Sequence, residues 1–326
     1  MKTLHAEDAK NYMNELGTKN QPYLAIISFD MQQNHVFPLN ASFESECLYH
    51  FPGGTNVKPS PASQVNTKLD FTPLSFSDYL QAYSKIIHHI NRGDSYLCNL
   101  CFETELDIHD KTENLFHVSH ARYKLWLNNR FVCFSPESFV KTKNNTIYTY
   151  PMKGTIDAGE KDAEHKLLSD PKEKAEHFTI TDLLRNDLSM VSRDAEVSRY
   201  RYVEKLKTSR NNLLQTSTEI KGILNKNWRS HTGDLLFTLL PAGSITGAPK
   251  QKTIDIINKT EKHERGYYTG VACLFDGNNL DSFVMIRMIT QKNGKYFYKS
   301  GGGITSLSNP EQEYKEMIQK IYVPVH

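Results

Sequence analysis

The apolar positions of this chain follow two rhythms. Phe76, Tyr79, Leu80, Tyr83, Ile86, Ile87 and Ile90 recur at helical spacing, which lays one apolar face along a helix. Ser75 or Ser77 can cap its start and Gly93 follows its end. Further helices are predicted near 112–126, 171–188, 232–240, 249–260 and 310–322. Short apolar or alternating runs predict strands at 23–30, 95–106, 130–134, 139–150, 197–206, 213–224, 267–275, 281–290 and 295–299. Many of these strands adjoin one another with no helix between, which favours antiparallel or mixed sheets and an α+β class. Residues 1–74 are the least patterned. Pro52-Gly53-Gly54 and Pro59-Ser60-Pro61 read as loop and linker, so 1–74 is expected to be a lead segment packed on a main domain of 75–326, the two forming one structural unit.

Composition narrows the classes. At 326 residues the chain is long enough for one large core or two joined halves. Its 39 basic and 37 acidic residues give a net charge of +2, which argues for neither a nucleic-acid surface nor an acidic tail. Residues 1–8 hold no apolar core of signal-peptide length, and no window approaches the roughly eighteen apolar residues of a membrane span. A cytoplasmic protein is expected. The five cysteines include a Cys98-Asn99-Leu100-Cys101 spacing, but on a strand those two thiols point to opposite faces, and no second pair accompanies them. Reduced, structural thiols are expected.

Four stretches carry candidate chemistry. Glu173 and Glu176 lie three apart behind Asp170-Pro171, and Glu313 and Glu316 lie three apart behind Asn309-Pro310. Each pair projects from one face near a helix start, where acidic groups also serve as ordinary capping residues. Were the two pairs to face each other, they would form a hard oxygen site for Mg²⁺. Pro151-Met152-Lys153-Gly154-Thr155 follows an alternating strand and reads as a turn that sets one lysine beside a glycine. The segment Gly243-Ser-Ile-Thr-Gly-Ala-Pro-Lys250 resembles a phosphate loop but fails its spacing, because Ala248 and Pro249 separate the second glycine from the lysine. A backbone anion site at a helix start, with Pro249 near the first helical position, remains. Ser300-Gly301-Gly302-Gly303 offers a second set of amides after a strand.

Taken in order, Ser135-Pro136-Glu137, Pro-Met-Lys-Gly-Thr, Asp182-Leu-Leu-Arg-Asn-Asp-Leu188, the 243–250 segment, Arg265-Gly-Tyr-Tyr-Thr-Gly270, the glycine triplet and Pro310-Glu-Gln-Glu-Tyr-Lys-Glu316 resemble the chorismate-utilising enzymes. That family groups anthranilate, aminodeoxychorismate, isochorismate and salicylate synthases, and the resemblance spans about 75–326. It implies an α+β architecture of two αβ halves whose mixed or antiparallel sheets stack in an αββα-like sandwich around the site. It implies Mg²⁺ ligands at Glu176 and Glu316, with Glu173 and Glu313 supporting them. It implies substrate contacts from Gly154, Thr155, Thr246, Tyr268, Arg287, Gly301, Gly302, Gly303 and Lys320. A dicarboxylate such as chorismate suits an arginine, a tyrosine hydroxyl, glycine amides and a metal.

Lysine at position 153 resembles the aminodeoxychorismate synthase component I subgroup, where anthranilate and salicylate synthases usually carry alanine. The position of the family's water-activating lysine matches Leu97, which cannot act as a base. Gln215 stands near where anthranilate synthases usually place a histidine. Cys273-Leu274 and Leu307 depart from the family pattern. The resemblance therefore implies Lys153 as nucleophile and Glu137 as general acid and base, with chorismate and ammonia giving 4-amino-4-deoxychorismate for p-aminobenzoate and folate. No Gly-x-Cys-x-Gly nucleophile motif surrounds any cysteine, so ammonia is expected from a separate glutamine amidotransferase subunit. Anthranilate synthase component I is the alternative enzyme reading, and a non-catalytic chorismate-binding subunit the alternative outside enzymology.

Overall fold

Alternate residues of the strand Tyr23–Ile27 face different layers. Tyr23, Ala25 and Ile27 pack into one hydrophobic cluster, with Met13, Leu184 and Leu236, whereas Leu24 and Ile26 pack into another, with Leu125, Leu127 and Cys133. A strand that is apolar on both faces must lie between two covered layers. The computed structural model describes residues 2–58, 65–207 and 212–325, so the expected linker at Pro59-Ser60-Pro61 lies outside the described residues.

Among the described residues there are two nine-stranded sheets, and their strands pair antiparallel throughout. The first sheet runs Met152–Asp157, Asn212–Ile223, Thr146–Thr149, Ser138–Lys143, Leu280–Val284, Val271–Phe275, Tyr23–Ile27, Asn34–Pro38, with Arg193–Lys207 on the second edge of Asn212–Ile223. The second runs Gly247–Ala248, Leu97–Asp107, Lys295–Ile304, Met288–Lys292, Phe131–Ser135, Tyr123–Leu127, Cys47–Phe51, Gly54–Thr55, with Asp70–Phe71 beside Leu97–Asp107. The sheets stack through the cluster that holds Leu24, Tyr123 and Phe283. Helices Ala6–Thr18, Pro171–Ser189 and Thr232–Leu239 cover the first sheet, and Phe76–Asn91, Lys250–Thr260 and Pro310–Gln319 pack on the second. The α+β sandwich of two stacked sheets is the one expected. Residues before 75 supply strands to both sheets.

Several elements differ from the sequence pattern. The helix expected over 112–126 ends at Val118, and Tyr123–Leu127 is a strand. Its period is two: Tyr123, Leu125 and Leu127 face the inter-sheet cluster while Trp126 faces the opposite one. The run 139–150 divides at Asn144 and Asn145, both at positive φ, into a hairpin. The run 281–290 is two strands in different sheets, with Arg287 at φ +54 between them. Residues 267–270 precede the strand Val271–Phe275 rather than belong to it. Helix Ala6–Thr18, unread in the sequence, buries Ala9, Met13 and Leu16 at helical spacing. All five cysteines are buried and free. No helix among the described residues is long and apolar enough to cross a membrane.

Candidate active site

Lys153 lies within a strand, not in the turn the sequence suggested. Met152–Asp157 pairs with Asn212–Ile223, Lys153 opposite Thr216 and Thr155 opposite Gln215, and the register slips between Lys153 and Thr155. Gly154 takes φ +79 at that slip, and a Cβ there would lie 2.9 Å from Glu173 Oε2. The bulge thus lets a helix carboxylate stand over the strand. The Thr216 hydroxyl donates to the Lys153 carbonyl, fixing the backbone that carries the lysine. From the first sheet, Lys153 Nζ reaches toward the second: it pairs with Glu176 Oε2 at 3.2 Å and lies 3.8 Å from where a Cβ on Gly303 would sit.

The glycine triplet also sits inside a strand, Lys295–Ile304, rather than in a bend after one. Its partner Met288–Lys292 stops opposite Lys299, while Leu97–Asp107 continues beside it to Ile304. One edge is therefore uncovered from Ser300 onward. The Cys101 amide donates to Glu261 Oε1 at 2.9 Å, and the Gly301 carbonyl accepts from Lys320 Nζ at 2.8 Å. Gly301 and Cys101 form a non-hydrogen-bonded pair, so the amides of Gly301 and Gly303 face the open edge. A Cβ at Gly301 would lie 2.1 Å from the Leu100 carbonyl, so glycine is required there by close backbone approach.

That edge opens into a cavity of about 180 Å³ whose wall includes Glu137, Lys153, Tyr268, Arg287, Gly301, Gly302, Gly303 and Lys320. Ser244 Oγ donates to Glu137 Oε1 at 2.8 Å. Burial pushes the Glu137 carboxyl up, with Ser244, Lys153, Arg287 and Lys320 acting the other way. A carboxyl so placed keeps its proton to higher pH than an exposed one, which suits a general acid. Arg287 lines the cavity, where its guanidinium suits an anion, and its buried Nε has no protein acceptor. Burial holds the hydroxyl of Tyr268, another residue of the wall, well above its usual range, so it stays neutral.

Beside the cavity the two helix starts bring four carboxylates together. Asp170 and Asn309 cap the helices by accepting from the Glu173 and Gln312 amides, and Pro171 and Pro310 occupy the first turns, as expected. Burial and the neighbouring Glu176 raise Glu173; burial raises Glu313, with Glu316 and Glu176 adding to it. Partial desolvation would raise Glu316, whose side chain is 56% exposed, but Lys320, at 2.7 Å, with Lys153 and Lys172 holds it below the usual carboxylate range. Lys172 lies 3.8 Å from Glu176 and 3.6 Å from Glu313. Among the described residues no three acidic, histidine or cysteine side chains are grouped tightly enough to hold an ion by themselves. The donor chemistry fits a hard divalent cation that takes one or two carboxylates and fills its remaining positions with water or substrate oxygens.

Three expected contacts, Gly154, Thr155 and Thr246, lie off the cavity wall. Thr155 is exposed on its strand, and the Thr246 hydroxyl is buried, donating to the Ala242 carbonyl at 3.0 Å. Pro249 is the N-cap of helix Lys250–Thr260 rather than its first residue, and Lys250 pairs at 2.9 Å with Asp187, whose carboxylate lies against Gly243 at the start of the expected anion site. That pair ties the 182–188 motif to the 243–250 motif. Arg265 and Glu261, joined at 2.7 Å, tie Ile245 and Asn99 carbonyls to the same region. Ser244 and Asn99 line the cavity and were not singled out; Ser244 lay inside a recognised motif, whereas nothing local marks Asn99.

Over residues 8–326 the chain matches the family described as chorismate binding enzyme, and it belongs to that family. It is 46% identical over 314 residues to an uncharacterized PabA-like protein of Haemophilus influenzae, covering 96% of this chain and 95% of that one. It is 31% identical over 297 residues to aminodeoxychorismate synthase component 1 of Bacillus subtilis, covering 86% of this chain and 61% of the relative. The crystal structure of anthranilate synthase component I from Streptococcus pneumoniae shares the fold, with a TM-score of 0.76 at 22% identity over 95% of this chain and 83% of that one.

Proposed function

We propose that this protein is a cytoplasmic aminodeoxychorismate synthase component I, which converts chorismate and ammonia to 4-amino-4-deoxychorismate for p-aminobenzoate and folate synthesis. The observation that carries the reading is the Lys153 amine facing the same cavity as the Glu137 carboxyl, with Arg287 and the glycine amides around them. Leu97, where a water-activating lysine would be needed for hydroxylation, instead packs apolar against Gly303. The attacking species is the neutral amine, so the Lys153 ammonium first leaves Glu176 and gives its proton to water. Lys153 Nζ then bonds to C2 of chorismate, the ring double bonds shift, and the C4–O bond breaks as Glu137 gives its proton to the departing hydroxyl. Ammonia adds at C4, the double bonds shift back, and the C2–N bond to Lys153 breaks while the Glu137 carboxylate takes up a proton. The sum is chorismate plus ammonia giving product plus water. Arg287, Tyr268 and the amides of Gly301 and Gly303 hold the carboxylates. Glu176 and Glu316, supported by Glu173 and Glu313, would hold Mg²⁺, which would supply positive charge for a substrate carboxylate. Ammonia comes from a separate glutamine amidotransferase subunit, and ammonium salts replace that partner in vitro.

The test is product identity. Incubation with chorismate, Mg²⁺ and ammonium should give a compound that an aminodeoxychorismate lyase converts to p-aminobenzoate. Fluorescent anthranilate would overturn the proposal in favour of anthranilate synthase, and unchanged chorismate would point to a non-catalytic subunit.

A further inference from the structure

Lys172 has no part in the chemistry just described, yet it occupies the position where the two helix starts meet. Its Nζ stands 3.8 Å from Glu176 Oε1 on its own helix and 3.6 Å from Glu313 Oε1 on the helix Pro310–Gln319. Among the described residues no other cation pairs with a carboxylate of both helices: Lys153 pairs with Glu176, and Lys320 with Glu316. Glu313 is 8% exposed and Glu176 12%, so like charges face each other with little solvent to screen them. Both helices also present their positive ends here, which favours carboxylates but cannot bridge one set to the other. The Lys172 side chain is 38% exposed and on a flexible stem, free to swing into water. The two lysines on Glu176 divide its oxygens, Oε1 to Lys172 and Oε2 to Lys153. Departure of Lys172 therefore frees one oxygen without disturbing the nucleophile.

We infer that Lys172 is the competing cation of this carboxylate site: its ammonium bridges the glutamates of the two helices, a divalent ion must displace it to bind, and it thereby sets the metal affinity. The inference rests on the proposed assignment of Glu176 and Glu316 as metal ligands. An ammonium that stays within about 5 Å of a divalent ion weakens binding roughly tenfold even at the dielectric of water, and one that is displaced gives up an attraction to its two carboxylates of similar size.

Mn²⁺ titration of the whole protein, followed by the electron paramagnetic resonance signal of the free ion with and without chorismate, tests it without reference to turnover. Lys172→Gln should bind Mn²⁺ roughly tenfold more tightly than wild type, and Lys172→Arg, which keeps the charge, should stay within about threefold of it. Lys295→Gln, at the far end of the glycine strand beside Glu105, removes the same charge elsewhere and should leave the affinity unchanged. Equal or weaker binding by Lys172→Gln overturns the inference while leaving the metal ligands in place. Equal tightening in Lys295→Gln overturns it too, by reducing the effect to net charge. No saturable binding in any of the proteins would overturn the ligand assignment itself, and the inference with it.

Discussion

Two ion pairs in this molecule join a carboxylate to a cation under opposite conditions. Arg265 and Glu261 are each 2% exposed, meet at 2.7 and 3.0 Å, and spend their remaining donors and acceptors on the Ile245 and Asn99 carbonyls and the Cys101 amide. Lys153 and Glu176 are 28% and 12% exposed and share a single contact of 3.2 Å. The first pair has every group satisfied, so opening it strands a buried charge. The second is a lysine at the cavity edge, with water and other cations at hand to take over its partner. Rigidity and reactivity are thus assigned to different pairs: the arginine fixes the loops around the cavity, while the lysine remains separable from its carboxylate.

The largest effect should come from ending the separable pair. Lys153→Ala should lower turnover roughly 10⁴-fold or more, and intact mass with chorismate and no ammonia should show an adduct on wild type alone. An adduct that survives the substitution would remove Lys153 as nucleophile. Glu137→Gln keeps the hydrogen-bonding shape but not the proton; turnover should fall about 10²- to 10⁴-fold with chorismate binding nearly unchanged, and equal loss of both would sink the acid assignment. In contrast, Arg265→Met should act on the fold. Leaving Glu261 buried and unpaired should cost about 3–5 kcal/mol in denaturant unfolding, whereas a loss under about 1 kcal/mol would mean the pair is not the fixed one. The smallest effect concerns Ser244→Ala. Burial raises the Glu137 carboxyl, and the Ser244 hydroxyl, by donating to the carboxylate, lowers it. Without that donor the acid form persists to higher pH, so the basic limb of kcat/KM should move up by about one pH unit or less. A downward shift would contradict Glu137 as the acid.

Local signals carried well where the partner was local. Ser75 caps the helix Phe76–Asn91 through the Asp78 amide, and Asp170 and Asn309 cap the two carboxylate helices, each within three residues of what they bind. The strand at Met152–Asp157 was hidden because its ladder is with residues 213–217, and a lone Pro-x-Lys-Gly stretch reads as a turn without that partner. Arg287 shows the same limit: a non-glycine at positive φ gives no signal in a run that looks continuously strand-like. The chemical types at the site were legible from residue and spacing. Their pairings were not, since Lys172 meets Glu313, and Ser244 meets Glu137, only after both sheets have closed.

The central strand Tyr23–Ile27 has a consequence for synthesis of the chain. It pairs with Asn34–Pro38 on one side and with Val271–Phe275 on the other, Tyr23 opposite Phe275. A ribosome delivers the first partner almost at once and the second, which starts at Val271, only after more than 200 further residues. Throughout that interval the nascent chain carries an apolar strand with one open edge, the kind of surface on which other chains pair and chaperones act. The middle of the first sheet is therefore begun long before it is completed, and its folding is expected to be slow.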